Sequence, residues 1–117
     1  MKVPIETIFA DDLLYRRLLP YHIKATGQVS SAAFKNKKGQ PDAEVSVDLA
    51  RLTTLERCLS LGLPGMRLGE LRASVPLSLE LRVEHCPVND NNAHCLIIGA
   101  HTKKTCKLLA EATTVIP

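Results

Sequence analysis

The chain has 117 residues, a length that suits one globular domain over 1–117 with its own hydrophobic core. Its formal net charge is +3, with 45% hydrophobic and 3% aromatic residues, so the core must be aliphatic and single-strand nucleic-acid binding by base stacking is disfavoured. No apolar run reaches the roughly 18–20 residues that span a membrane, and Met1–Glu6 lacks an apolar signal core, so neither a membrane anchor nor a signal peptide is expected.

Residues 1–10 read as a short extended lead-in. From Asp11 to Leu19 the spacing predicts a helix. Leu13, Leu14, Leu18 and Leu19 share one face, Asp12 can pair with Arg16, and acids precede bases as the helix dipole prefers. Pro20 ends that helix. Ala25-Thr26-Gly27 is a turn. Gln28 to Phe34 fits either a strand or a short helix capped by Ser30, and Lys35 to Asp42 is a basic exposed loop.

Glu44 to Leu49 alternates as a half-buried strand, with Val45, Val47 and Leu49 inward and Glu44, Ser46 and Asp48 outward. Thr53 and Glu56 form a capping box for a helix that runs to Leu61. Leu55, Cys58 and Leu59 are its buried stripe, and Gly62 is its left-handed terminator. Pro64-Gly65 is a turn, and Met66 to Ala73 is a short helix or an irregular connection. Leu77 to His85 is the most regular strand, with His85 toward the core and Cys86 toward solvent. His94 to Ile98, apolar on both faces, is a central strand. Gly99-Ala100-His101 is the exit turn. Thr102 then caps a helix from Lys103 to about Ala112 with Cys106, Leu109 and Ala110 inward, and Thr113 to Ile116 closes the chain as a short strand. The whole is α+β: a mixed sheet of about four strands with two to three helices, in a single layer or sandwiching the sheet.

Chemistry is densest from Glu84 to Cys95, which holds two His-Cys dipeptides, His85-Cys86 and His94-Cys95. In a symmetric hairpin His85 opposes Cys95 and Cys86 opposes His94. Strand neighbours point to opposite faces, so one metal ion cannot collect all four side chains, and no metal or cofactor is expected. The remaining pair with chemical potential is Cys86 with His94, as a thiolate and imidazolium oriented by Glu84 or Asn92. The plainer reading makes Cys95 a core residue and leaves Cys86 and His94 beside a loop. The four cysteines, Cys58, Cys86, Cys95 and Cys106, fit reduced thiols in a cytoplasmic protein.

Two cationic features follow. Lys103 and Lys104 start a helix, where backbone N–H groups and ammonium groups can hold a phosphate or carboxylate, although the plainer reading of Lys103, Lys104 and Lys107 is a solvated lysine face. Arg16, Arg17, His22, Ser30 and Ser31 are polar groups suited to an anion or a ribose; the plain alternative is solvated side chains.

The segments Tyr15-Arg16-Arg17, Gly27 to Lys35, Val45 to Thr53 and Asn92 to Ile97 resemble a family of small bacterial proteins with no assigned activity. The resemblance covers most of the chain and implies an origin, not a mechanism. The Arg-bearing start followed by Ser30-Ser31 is also similar to the NAD-binding halves of ADP-ribosyltransferase-like folds, whose catalytic glutamate motif is missing here.

Two function classes follow. One is a non-catalytic binding or accessory protein with a protein or nucleic-acid partner, which requires an apolar or basic exposed patch. The other is a small enzyme for a nucleotide or phosphate-bearing substrate, which requires Arg16 or Arg17, His22, Ser30 or Ser31, and His94 to converge, with His94, His22 and Cys86 as the catalytic candidates.

Overall fold

Alternating apolar residues build one sheet from β1 (Leu13–Leu18), β2 (Ala43–Leu49), β3 (Arg67–Arg72), β4 (Arg82–His85), β5 (His94–Gly99) and β6 (Thr114–Val115). The structure, a computed structural model, describes residues 4–35 and 43–117. The strands run in the order β4-β5-β2-β1-β3-β6, and every neighbouring pair is antiparallel. The α+β class stands, but the sheet has six strands rather than about four and is antiparallel rather than mixed. The basic loop expected over 35–42 lies outside the described residues apart from exposed Lys35.

The additional strands come from segments whose patterns misled. Residues 13–18 form a strand, not the expected helix; Leu14 and Leu18 share a face at either period, so their spacing does not separate the two. In the strand Arg16 stands between them on the inner face. Burial there is tolerated because its Nε donates to the Ala33 carbonyl and its Nη1 to that of Ser46, both at 3.0 Å. Residues 67–72, read as a short helix or irregular, form β3. Gly69 lies opposite Arg16 in the register. A Cβ at Gly69 would come within 2.6 Å of Thr113 Cγ2 and 3.0 Å of Leu18 Cδ1, so the close fit of β1, β3 and the C-terminal segment requires glycine there.

Only Arg82–His85 of the predicted strand from Leu77 to His85 is strand. α2 (Ser74–Ser78) takes its first residues, buried Pro76 fits the first helical turn, and Glu80 turns left-handed at φ 64 before β4 begins. β2, β5 and β6 fall where the sequence puts them. α3 (Lys103–Glu111) also matches, capped by Thr102 Oγ1 accepting from the Thr105 N–H, with Cys106, Leu109 and Ala110 buried. α1 (Leu55–Ser60) is shifted. Its N-cap is Thr54, not Thr53, accepting from the Arg57 N–H at 3.1 Å, and Gly62 does not adopt the left-handed conformation expected of it. Gly62 instead sits close under two long side chains: a Cβ there would lie 2.7 Å from Met66 Sδ and 2.9 Å from Arg17 Cδ, which would have to shift. The helical alternative for 28–34 holds as a 3-10 turn, Ser31–Phe34, capped by Ser30.

One sheet face carries Leu14, Leu18, Val45, Val47, Leu49, Leu71, Val83, Cys95 and Ile97, and α3, α2 and the Ser31–Phe34 turn close over it as the main core. α1 lies on the other face, against β1 and β3, where Cys58 and Leu68 are buried outside that core. Arg51 fastens the N-terminal lead-in by ion pairs to Glu6 and Asp12 and a hydrogen bond to the Thr7 carbonyl. No described helix is long and apolar enough to cross a membrane.

Candidate functional site

The α1 face of the sheet is where the chemistry collects. Asp48 was expected to face solvent, but its side chain is 1% exposed because α1 covers that end of β2. Its carboxylate is satisfied on both oxygens. Arg17 Nη1 donates to Oδ2 at 2.6 Å, the Cys58 thiol donates to the same oxygen at 2.8 Å, and Asn91 Nδ2 donates to Oδ1 at 2.8 Å. Arg17 Nη1 also reaches the Cys58 carbonyl at 3.2 Å. The cluster therefore joins β1, β2, α1 and the loop between β4 and β5. Burial, and next the hydrogen bond to Asp48, push the Cys58 thiol up to about 12, so it is a donor and not a nucleophile.

The His-Cys hairpin has the expected register, with His85 opposite Cys95 and Cys86 N–H donating to the His94 carbonyl at 2.8 Å. His85 is buried and bridges backbone to backbone: the Glu6 N–H donates to Nδ1 at 2.8 Å, so Nε2 carries the proton given to the Asn92 carbonyl at 2.6 Å. His94 points to the opposite face, half-buried. Its Nδ1 meets the carbonyl of Cys86 at 2.8 Å, and a carbonyl can only accept, so Nδ1 is protonated and Nε2 accepts from the Ser46 hydroxyl at 3.2 Å. The imidazole thus engages the backbone of Cys86 and not its thiol. Burial, ahead of the charges of Asp48 and Asp12, pushes the Cys95 thiol up to about 12, as suits a core residue. Among the described residues no three of His, Cys, Asp and Glu gather as a metal ion would require.

The remaining candidates divide between the faces. Arg16 and Arg17, adjacent on β1, point to opposite sides of the sheet. Arg16 lies near His22, whose imidazole Nδ1 accepts from the Leu19 N–H at 3.0 Å. Burial, then the positive charge of Arg16, lower the His22 pKa. Ser30 caps the turn that begins at Ser31, and its N–H donates to the His22 carbonyl at 2.7 Å. Arg16, His22, Ser30 and Ser31 therefore share one neighbourhood, and Arg17 and His94 belong to the other face. Ser31 and Lys103 line one cleft, which Lys104 does not line.

The sequence also placed the stripe of α1 incorrectly. Cys58 is buried, but Leu55 and Leu59 are 41% and 40% exposed, and Leu52 and Leu63, in the segments before and after α1, are 37% and 63% exposed. Asp48 and Asn91, which the sequence did not single out, hold the cluster beneath. Asp48 alternates like a solvent-facing strand residue and Asn91 sits in a polar loop, so only the docking of α1 identifies them. Compared with protein-family models, curated proteins and solved structures, the chain matches none.

Proposed function

We propose that the protein is a non-catalytic binding or accessory protein that docks a partner protein on the exposed leucines of α1. The observation that supports this is the exposure of Leu55 and Leu59 on α1, a helix fixed from below, with Leu52 and Leu63 exposed in the segments that flank it. α1 is only six residues long, too short to persist by helix propensity alone. It is held by its Thr54 cap, by the bond from Cys58 to Asp48, and by Arg57 donating to the Asp90 carbonyl. A preorganised apolar surface spends little entropy on docking. It also favours protein over nucleic acid, whose binding surfaces are basic.

The alternative, a small enzyme acting on a nucleotide or phosphate-bearing substrate, draws support from one geometry: His94 Nε2 accepts from the Ser46 hydroxyl while Nδ1 is fixed by a carbonyl, as in a serine nucleophile and its base. Neither residue lines the cleft beside α1 or the one beside α3. The division of Arg16 and Arg17 between faces weakens this reading further.

The test is a Leu55→Asp, Leu59→Asp double variant. Both side chains are exposed, so stability should stay within about 0.5 kcal/mol per substitution, while binding of a partner identified with the unaltered protein is lost. Retained partner binding with a normal fold would overturn the proposal. So would unfolding, because the leucines would then belong to the core.

A further inference from the structure

On the other side of the sheet a second feature stands apart from the α1 surface. Gly27, at φ 88, closes a tight turn in which the Gly27 N–H donates to the Lys24 carbonyl and the Lys24 N–H to the Gln28 carbonyl, both at 2.8 Å. This turn fixes Lys24 and Gln28 on one wall of a cleft. Val29 is buried beneath it, and the Ser31–Phe34 turn continues the wall. The facing wall is α3. Its buried stripe turns Cys106, Leu109 and Ala110 inward, which aligns Lys103, Lys107 and Glu111 at successive four-residue steps along one edge. The cleft between them has a volume of about 240 Å³ and is lined by Lys24, Gln28, Ser31, Lys103, Lys107 and Glu111 over Val29, Ala110 and Thr113.

The charge in this cleft is unbalanced. Three ammonium groups from two separate chain segments meet one carboxylate, and Glu111 stands 4.0 Å from Lys107. Among the described residues no carboxylate lies within ion-pairing distance of Lys24 or Lys103. No described residue accepts or donates a hydrogen bond at the Ser31 hydroxyl or the Gln28 amide group, so both face the cleft with bonding capacity to spare. Convergent ammonium groups with neutral hydrogen-bonding side chains are a phosphate-binding chemistry. The volume is below the roughly 300 Å³ at which drug-sized pockets begin, and the lining has no aromatic ring on which a nucleobase could stack. Those two facts favour a small ligand over a nucleic-acid strand, and the Val29 and Ala110 floor leaves room for a short carbon portion.

We propose that this cleft binds a small phosphorylated molecule, with Lys24, Lys103 and Lys107 around the phosphate and Gln28 and Ser31 hydrogen-bonded to it. Its test does not involve the leucines of α1, so either proposal can fail alone. Inorganic pyrophosphate is titrated into the full chain and followed by NMR amide shifts, with a single-stranded oligonucleotide in parallel. The expected result is saturable binding at about 1 mM or tighter, with shifts confined to the Lys24–Ser31 turn and α3. Lys103→Glu should weaken binding by at least about tenfold, while Arg82→Glu, the same charge change on the sheet face turned away from α3, leaves it within about twofold. Melting temperatures of both variants report that the fold is kept. Absence of saturation, equal weakening by both variants, or tighter binding of the oligonucleotide would overturn the proposal.

Discussion

Asp48 shows what a single residue decides here. Its carboxylate accepts from a guanidinium, a thiol and a carboxamide, all of them donors. Asp48→Asn keeps the shape but presents an NH2 group to those donors and leaves Arg17, 19% exposed, without its counter-charge. Removing one partner of a pair this covered costs about 3 kcal/mol. Urea unfolding should show that loss, and an Arg17→Met, Asp48→Leu double variant should lose less than Asp48→Asn alone. An Asp48→Asn midpoint equal to that of the unaltered protein would show that the carboxylate is dispensable. The histidines, outside that cluster, were only half legible. Strand alternation correctly separated His85 from His94, but no spacing rule shows that each imidazole spends its nitrogens on carbonyls, amides and a serine.

At the level of elements, the legible ones were those whose pattern fits a single period. β2 and α3 each have one, and their inner faces follow from it, although Asp48 on the outer face of β2 is buried; β5 was legible instead as an unbroken apolar run. β1 failed because leucines four apart satisfy helix and strand alike, and an arginine between them argues against a strand until its carbonyl partners are known. β3 failed because Gly69 reads as an interruption. In the sheet it is where β1 and Thr113 come closest, and Gly69→Ala should cost about 2 kcal/mol by overpacking. Thermal unfolding would check this, and an unchanged melting temperature would mean that Thr113 and Leu18 yield freely. The α1 stripe failed for another reason. A helix that rests on the sheet through one small thiol buries Cys58 and leaves its leucines outside, which amphipathic periodicity cannot distinguish from a buried leucine face.

For the whole molecule, buried histidine makes stability depend on pH. Burial and the nearby Arg16 hold neutral His22 favoured in the fold, so the unfolded chain takes up the proton first on acidification. Stability is therefore full above the ordinary histidine value of 6.5 and is lost as pH falls below it toward the lowered folded value. Urea midpoints at about pH 7 and about pH 5 should differ more for the unaltered protein than for His22→Gln, and equal differences would exclude His22 as the source. The two proposed surfaces lie on opposite sides of one sheet, the exposed leucines of α1 over β1 and β3 and the lysine cleft between α3 and the Lys24–Ser31 turn. The strand order carries one more consequence. β1, earliest of the strands in the chain, has β2 on one side and β3 on the other. The β4–β5 hairpin then extends the sheet beyond β2, and β6 extends it beyond β3. Each addition is made at an existing border, so no strand has to be threaded between two that are already paired. Assembly of this sheet can therefore proceed outward from its middle, with its borders, four-residue β4 and two-residue β6, sealed last.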